Sequence, residues 1–129
     1  MKILLDTCTF LWIAKDDPLL SPHARQRFLE PEHEFLLSVV SAWEITIKYA
    51  LGRLPLPTTP DQFVPSERQR HGIAILPLGE GASVIEYRLP KLHKDPFDRM
   101  LICQAMTDGL VLLTPDPLIR QYPGIQVEW

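Results

Sequence analysis

Lys2-Ile3-Leu4-Leu5-Asp6 sets the reading of the whole chain. Three apolar residues in succession fit a strand covered on both faces, as in a parallel sheet. An acid follows where that strand should end. Outward from it, a first helix is expected over Thr9 to Ala14, and a second starts at Ser21-Pro22 and stops at Pro31. Serine as N-cap with proline at the first helical position explains that start. A second apolar strand spans Phe35 to Val40, and Ser41-Ala42-Trp43-Glu44 opens a third helix closed by Gly52. Arg53 to Pro57 reads as a turn.

Thr59-Pro60 begins a further helix to about His71, bent at Pro65. Ile73 to Leu78 reads as a strand, Gly81 to Leu89 as a helix, and Pro90 to Lys94 as a loop. Asp95-Pro96 starts a helix that runs to Asp108 and ends at Gly109, a natural left-handed terminator. Leu110 to Leu113 is a strand, Thr114-Pro115-Asp116 the loop after it, and Ile125 to Val127 a short last strand. Strands alternating with helices imply crossover connections. The expected fold is α/β, a mostly parallel central sheet with helices on both faces.

Composition agrees with one ordinary globular unit, here taken as a single domain over 1–129. The 129 residues are 46% hydrophobic and 22% charged. No apolar run approaches the ~20 residues of a membrane span. With no signal-like N-terminus, the expected location is cytoplasmic. The net charge of −3 excludes binding of nucleic acid by bulk electrostatics alone, so a polyanion would require metal ions or a local cationic patch. Cys8 and Cys103 match no metal or redox spacing and read as reduced packing residues. Trp12 and Trp43 read as core anchors rather than base-stacking platforms.

Ligands in open α/β sheets bind beyond the carboxyl ends of the strands. Asp6 ends the first strand and Asp116 follows the fourth, while Glu44 and Asp98 fall in first turns of helices on the same side. Each has a structural alternative. Ser41-x-x-Glu44 is a capping-box pattern, Asp95 and Asp98 suit a helix start, and Asp116 suits a turn. Asp6 has no obvious helix to cap. Together the acids repel one another unless a cation neutralises them. Carboxylate oxygens suit Mg²⁺ or Mn²⁺ rather than zinc, and the chemistry this supports is metal-assisted phosphodiester hydrolysis.

Leu4-Leu5-Asp6-Thr7 with Phe10-Leu11-Trp12, Ser41-Ala42-Trp43-Glu44-Ile45 with Lys48 and Gly52-Arg53-Leu54, His93-Lys94-Asp95-Pro96-Phe97-Asp98-Arg99-Met100-Leu101, and Thr114-Pro115-Asp116 resemble the PIN-domain family. The resemblance spans essentially the whole chain and is nearest to the VapC toxins of type II toxin–antitoxin modules. It implies a PIN-like three-layer sandwich and a Mg²⁺-dependent endoribonuclease that cleaves RNA and arrests translation. It also implies a cognate VapB-like antitoxin and a homodimer, with Mn²⁺ able to substitute for Mg²⁺. Asp6, Glu44, Asp98 and Asp116 stand at the family's acidic positions, and Thr7 and Thr114 at those of supporting hydroxyls. Asp95 belongs to the same signature, either capping its helix or touching metal. The chain departs from the pattern at Cys8, where histidine is frequent, and at Cys103, where alanine is common.

Among the cations, Lys48 is placed either to pair with Glu44 four residues before it or to contact RNA. Arg99 is open between a phosphate contact and a salt bridge. His93 and Lys94, with Lys91, form a basic loop that either guides an RNA backbone or is merely solvated. Competing readings are a PIN-fold RNA-processing nuclease without a toxin role, a PIN-fold protein that only binds, a haloacid-dehalogenase-like phosphatase and a phospho-acceptor receiver. The phosphatase needs an acid where Cys8 stands, and the receiver needs paired acids near the first strand.

Overall fold

The structure, a computed structural model, describes residues 1–129. Strand β1 (Lys2–Leu5) lies at the centre of a five-stranded sheet whose order is β3-β2-β1-β4-β5, with every pair parallel. The others are β2 (Glu34–Ser38), β3 (Ala74–Leu76), β4 (Val111–Leu113) and β5 (Gln126–Glu128). Helices α1 (Thr7–Ala14), α2 (Pro22–Leu29), α3 (Val39–Ala50), α4 (Pro60–Arg70), α5 (Glu80–Ser83) and α6 (Pro96–Asp108) connect them.

Alternation along the strands divides the core in two, because successive side chains point to opposite faces. Ile3 and Leu5 join Phe35, Leu37, Val111 and Leu113 under Phe10, Ile13, Ala24, Ile45, Phe63 and Val64. Leu4, Leu36 and Leu112 face the other way, against Leu101, Ile102, Cys103 and Ala105 of α6. With apolar surface buried on both sides, β1 needs an unbroken apolar run. This is the α/β sandwich expected from the sequence.

Boundaries differ where capping competes with continuation. Strand β2 stops at Ser38, two residues earlier than read, because the Ser38 hydroxyl accepts from the Val40 N–H at 3.0 Å and starts α3 there. Ser41 is therefore inside the helix, its buried hydroxyl without a hydrogen-bond partner, and the capping box does not form. The same Ser38 hydroxyl donates to Gln104 Oε1 at 2.5 Å, tying the start of α3 to α6. Helix α1 begins at Thr7 rather than Thr9. The helix expected over Gly81 to Leu89 divides into α5 and a 3₁₀ turn, Glu86–Arg88. Helix α4 runs through Pro65, and Gly109 closes α6 at φ 63°, as expected.

Trp43 is not a core residue: it is 62% exposed, edge-to-face with Phe97 at 5.6 Å. Trp12 is half-buried and packs on Trp129 at 5.8 Å. Since Leu4 is fully buried in the central strand, Leu4→Ala should lower the unfolding free energy by about 2–5 kcal/mol in urea titrations. A loss below about 1 kcal/mol would contradict the packing described for this strand.

Candidate active site

The chain leaves β1 towards β2 and β3, then returns to β4 on the other side of β1. The crevice beyond β1 and β4 is thus the switch point of the sheet, where open α/β folds bind ligands. Pairing of Leu5 with Leu113 brings Asp6 and Thr114 side by side just past the ladder. The Thr114 hydroxyl donates to Asp6 Oδ2 at 2.5 Å, and the Thr9 N–H donates to Oδ1 at 2.9 Å. Asp6 is the N-cap of α1, so it does have a helix to cap.

Glu44 reaches the same crevice from the second turn of α3, not the first. It is 4% exposed, accepts from the Thr7 hydroxyl at 2.5 Å, and pairs with Lys48 one turn on. Asp98, in the first turn of α6, arrives from the opposite side of the crevice. Asp95 is the N-cap of α6, with Oδ1 accepting from the Phe97 and Asp98 N–H groups at 2.8 and 3.1 Å. Asp116 holds its own turn through Leu118 N–H at 2.8 Å and turns Oδ2 towards His93. All five acids line one cavity of about 520 Å³, together with Thr7, Cys8, Lys48 and Arg53.

Crowding shows in the proton affinities. Burial, then the charges of Asp95, Asp6 and Glu44, push Asp98 up to about 7, with His93 acting the other way. Burial likewise raises Asp6, partly offset by the hydrogen bonds from Thr114 and Thr9. Five carboxylates face two cations, Lys48 and Arg53, and Lys48 is held by Glu44. A carboxylate-rich set with excess negative charge fits a hard divalent cation, and the His93 imidazole lies with Asp98 and Asp116 in one cluster that could hold it. Asp6, Asp98, Glu44 and Asp116 offer the oxygens, while Asp95 caps its helix through Oδ1.

The cation assignments divide. Lys48 makes the helical pair and still has a side chain 44% exposed. Lys91 and Lys94 are exposed. Arg99 does not face solvent: it is 9% exposed and holds Glu86 at 2.5 Å and the carbonyls of Pro90, His93, Glu86 and Leu89. A phosphate contact is closed to it. His93 is not a solvated loop residue either, because its ring turns inward between Asp98 and Asp116, at 3.0 and 2.8 Å. Cys8 is half-buried on the cavity wall, 3.4 Å from Asp6 Oδ1, and burial and that acid push its thiol up. Arg53, in the turn after Gly52 and within the motif quoted above, also lines the cavity.

Comparisons with known proteins agree on one architecture. A family model for the PIN domain matches residues 3–125. Ribonuclease VapC16 of Mycobacterium tuberculosis is 46% identical over 44 residues, which are 34% of this chain and 31% of that protein. The aligned part thus spans about a third of the relative's length. Among solved structures, VapBC2 from Rickettsia felis bound to a DNA fragment from their promoter superposes with a TM-score of 0.74 at 13% identity, covering 99% of this chain and 98% of that one. DNA-bound VapBC from Salmonella typhimurium gives 0.69 at 21% identity, covering 99% and 97%. FitAcB from Neisseria gonorrhoeae gives 0.59 at 22%, covering 97% and 95%. These likenesses establish the fold. No helix is long and apolar enough to cross a membrane.

The raised Asp98 has a signed consequence. Its folded pKa of about 7 exceeds the unfolded 3.8, so the folded state takes up the proton first and its stability falls as pH rises through that window. Without divalent ions, lowering the pH from 8 to 6 should add about 1 kcal/mol through this group. In EDTA, thermal unfolding should therefore show a larger gain for the wild type than for Asp98→Asn. Equal pH dependence in both chains would contradict the assignment.

Proposed function

This chain belongs to the PIN-domain family, and from that premise we infer that it is a Mg²⁺-dependent endoribonuclease, the toxin of a VapBC-type toxin–antitoxin pair. The observation that carries the reading is the convergence of Asp6, Glu44, Asp98 and Asp116 on one cavity at the switch point. The named relative and the VapBC likenesses support the toxin assignment. In this reading residues 1–129 form a single nuclease domain that works in the cytoplasm, is held inactive by a VapB-like antitoxin, and pairs as a homodimer.

Asp6 and Asp98 would hold the ion directly, and Glu44 and Asp116 would orient water or a second ion. Bound there, Mg²⁺ or Mn²⁺ supplies the positive charge that stabilises both an attacking water and the developing phosphate oxygens. The protein's own part is to fix the acids. Thr114 locks the Asp6 carboxylate, and Thr7 and Lys48 lock that of Glu44. Asp95 fixes the first turn that carries Asp98. Lys91, Lys94 and Arg53, all exposed, supply contacts to the RNA backbone, with Lys48 closer in.

Incubated with total RNA, the purified chain should cleave in Mg²⁺, stop in EDTA, and resume when Mg²⁺ is returned. Asp6→Asn or Asp98→Asn should lower cleavage by at least about a hundredfold and abolish growth arrest while the circular dichroism spectrum stays native. A folded Asp6→Asn protein that still cleaves would overturn the assignment.

A further inference from the structure

We propose that His93 is a positioning residue for the metal site, its Nε2–H holding the Asp116 carboxylate beside that of Asp98; this rests on the metal-dependent reading above and goes beyond it. The ring's hydrogen bonds assign the proton. Nδ1 accepts from the Asp95 N–H at 3.3 Å, which leaves Nε2 to carry the hydrogen. That nitrogen lies 2.8 Å from Asp116 Oδ2 and 3.0 Å from Asp98 Oδ2. The hydrogen bond goes to Asp116, on the loop after β4, and the same nitrogen lies against Asp98 of α6. The imidazole nitrogen and the two carboxylate oxygens all lie within 4.8 Å of one another. The ring thus fixes Asp116 within reach of Asp98.

The main chain around His93 is fixed from behind. Its N–H donates to Tyr122 Oη at 2.8 Å, and its carbonyl accepts from Arg99 Nη1 at 3.2 Å. Arg99 Nη1 also reaches Tyr122 Oη at 3.2 Å, and Tyr122 is buried. Arg99 and Tyr122 therefore set the loop, the loop sets the ring, and the ring sets Asp116 beside Asp98. Side chains that orient metal ligands in this way typically change affinity 10- to 100-fold when removed.

Calorimetric titration of the whole chain with Mn²⁺, without RNA, tests this role. His93→Ala should weaken Mn²⁺ binding by about tenfold or more. In His93→Gln the amide N–H can stand in for Nε2–H, and binding should return to within about threefold of wild type. Unchanged or tighter binding in His93→Ala would overturn the proposal, as would equal weakening in both variants. Should His93→Ala fail to fold, nitrogen-15 spectra of the wild-type chain decide. The proton should be found on Nε2 without metal and should persist when Mg²⁺ is added. A proton on Nδ1, or loss of the Nε2 proton on adding Mg²⁺, would refute this role. Failure of the wild type to take up Mn²⁺ would instead remove the metal-dependent reading itself.

Discussion

Where β1 and β4 part, acids from four separate segments are held within one cavity against their mutual repulsion. Two unit charges about 4 Å apart near a protein surface repel by about 4 kcal/mol. A hydrogen bond to a charged group returns about 1.5–3 kcal/mol. Thr114 on Asp6, Thr7 and Lys48 on Glu44, and His93 on Asp116 offset part of that repulsion, while burial and the repulsion that is left raise the proton affinity of Asp98. The fold can therefore keep this cavity short of positive charge, and it is the shortage that gives a divalent ion somewhere to bind.

Much of this was legible along the chain, for a physical reason. Ile3-Leu4-Leu5 reads as a central strand because burial on both faces leaves no room for a polar residue, and Asp95-Pro96 reads as a helix start because cap and proline are local rules. Asp98 follows from Asp95 by helical geometry alone. The acidic quartet was legible as a set, since the open α/β fold places every strand end and helix start of this kind on one rim.

What stayed hidden depended on contacts distant in sequence. Ser38 and Ser41 are equivalent cap candidates locally; Ser38 prevails because its hydroxyl also meets Gln104, 66 residues on. Asp6 has a helix to cap because α1 starts at Thr7, two residues before the start that the sequence pattern suggests. His93 and Arg99 sit in a stretch dense with charge, where nothing local distinguishes a solvated loop from a buried network. Their roles follow from Tyr122 and Asp116, more than twenty residues away in sequence. Trp43 shows the converse error: a large aromatic on an amphipathic helix reads as core, yet α3 turns it out beside Phe97.

Five consecutive residues, Asp95 to Arg99, show how one helical turn serves several directions. Asp95 turns back to cap, Pro96 needs no N–H partner, Phe97 packs on Trp43, Asp98 enters the cavity, and Arg99 faces away to hold the loop of His93. Successive helical positions are about 100° apart, so adjacent charges of opposite sign need not pair. Asp98 and Arg99 do not; each meets partners from other segments. Arg99 still acts on the same chemistry, because the loop it fixes delivers the ring that lies against Asp98. The acid and the base of this dipeptide are joined through His93 rather than to each other, and the geometry of the cavity depends on that indirect link.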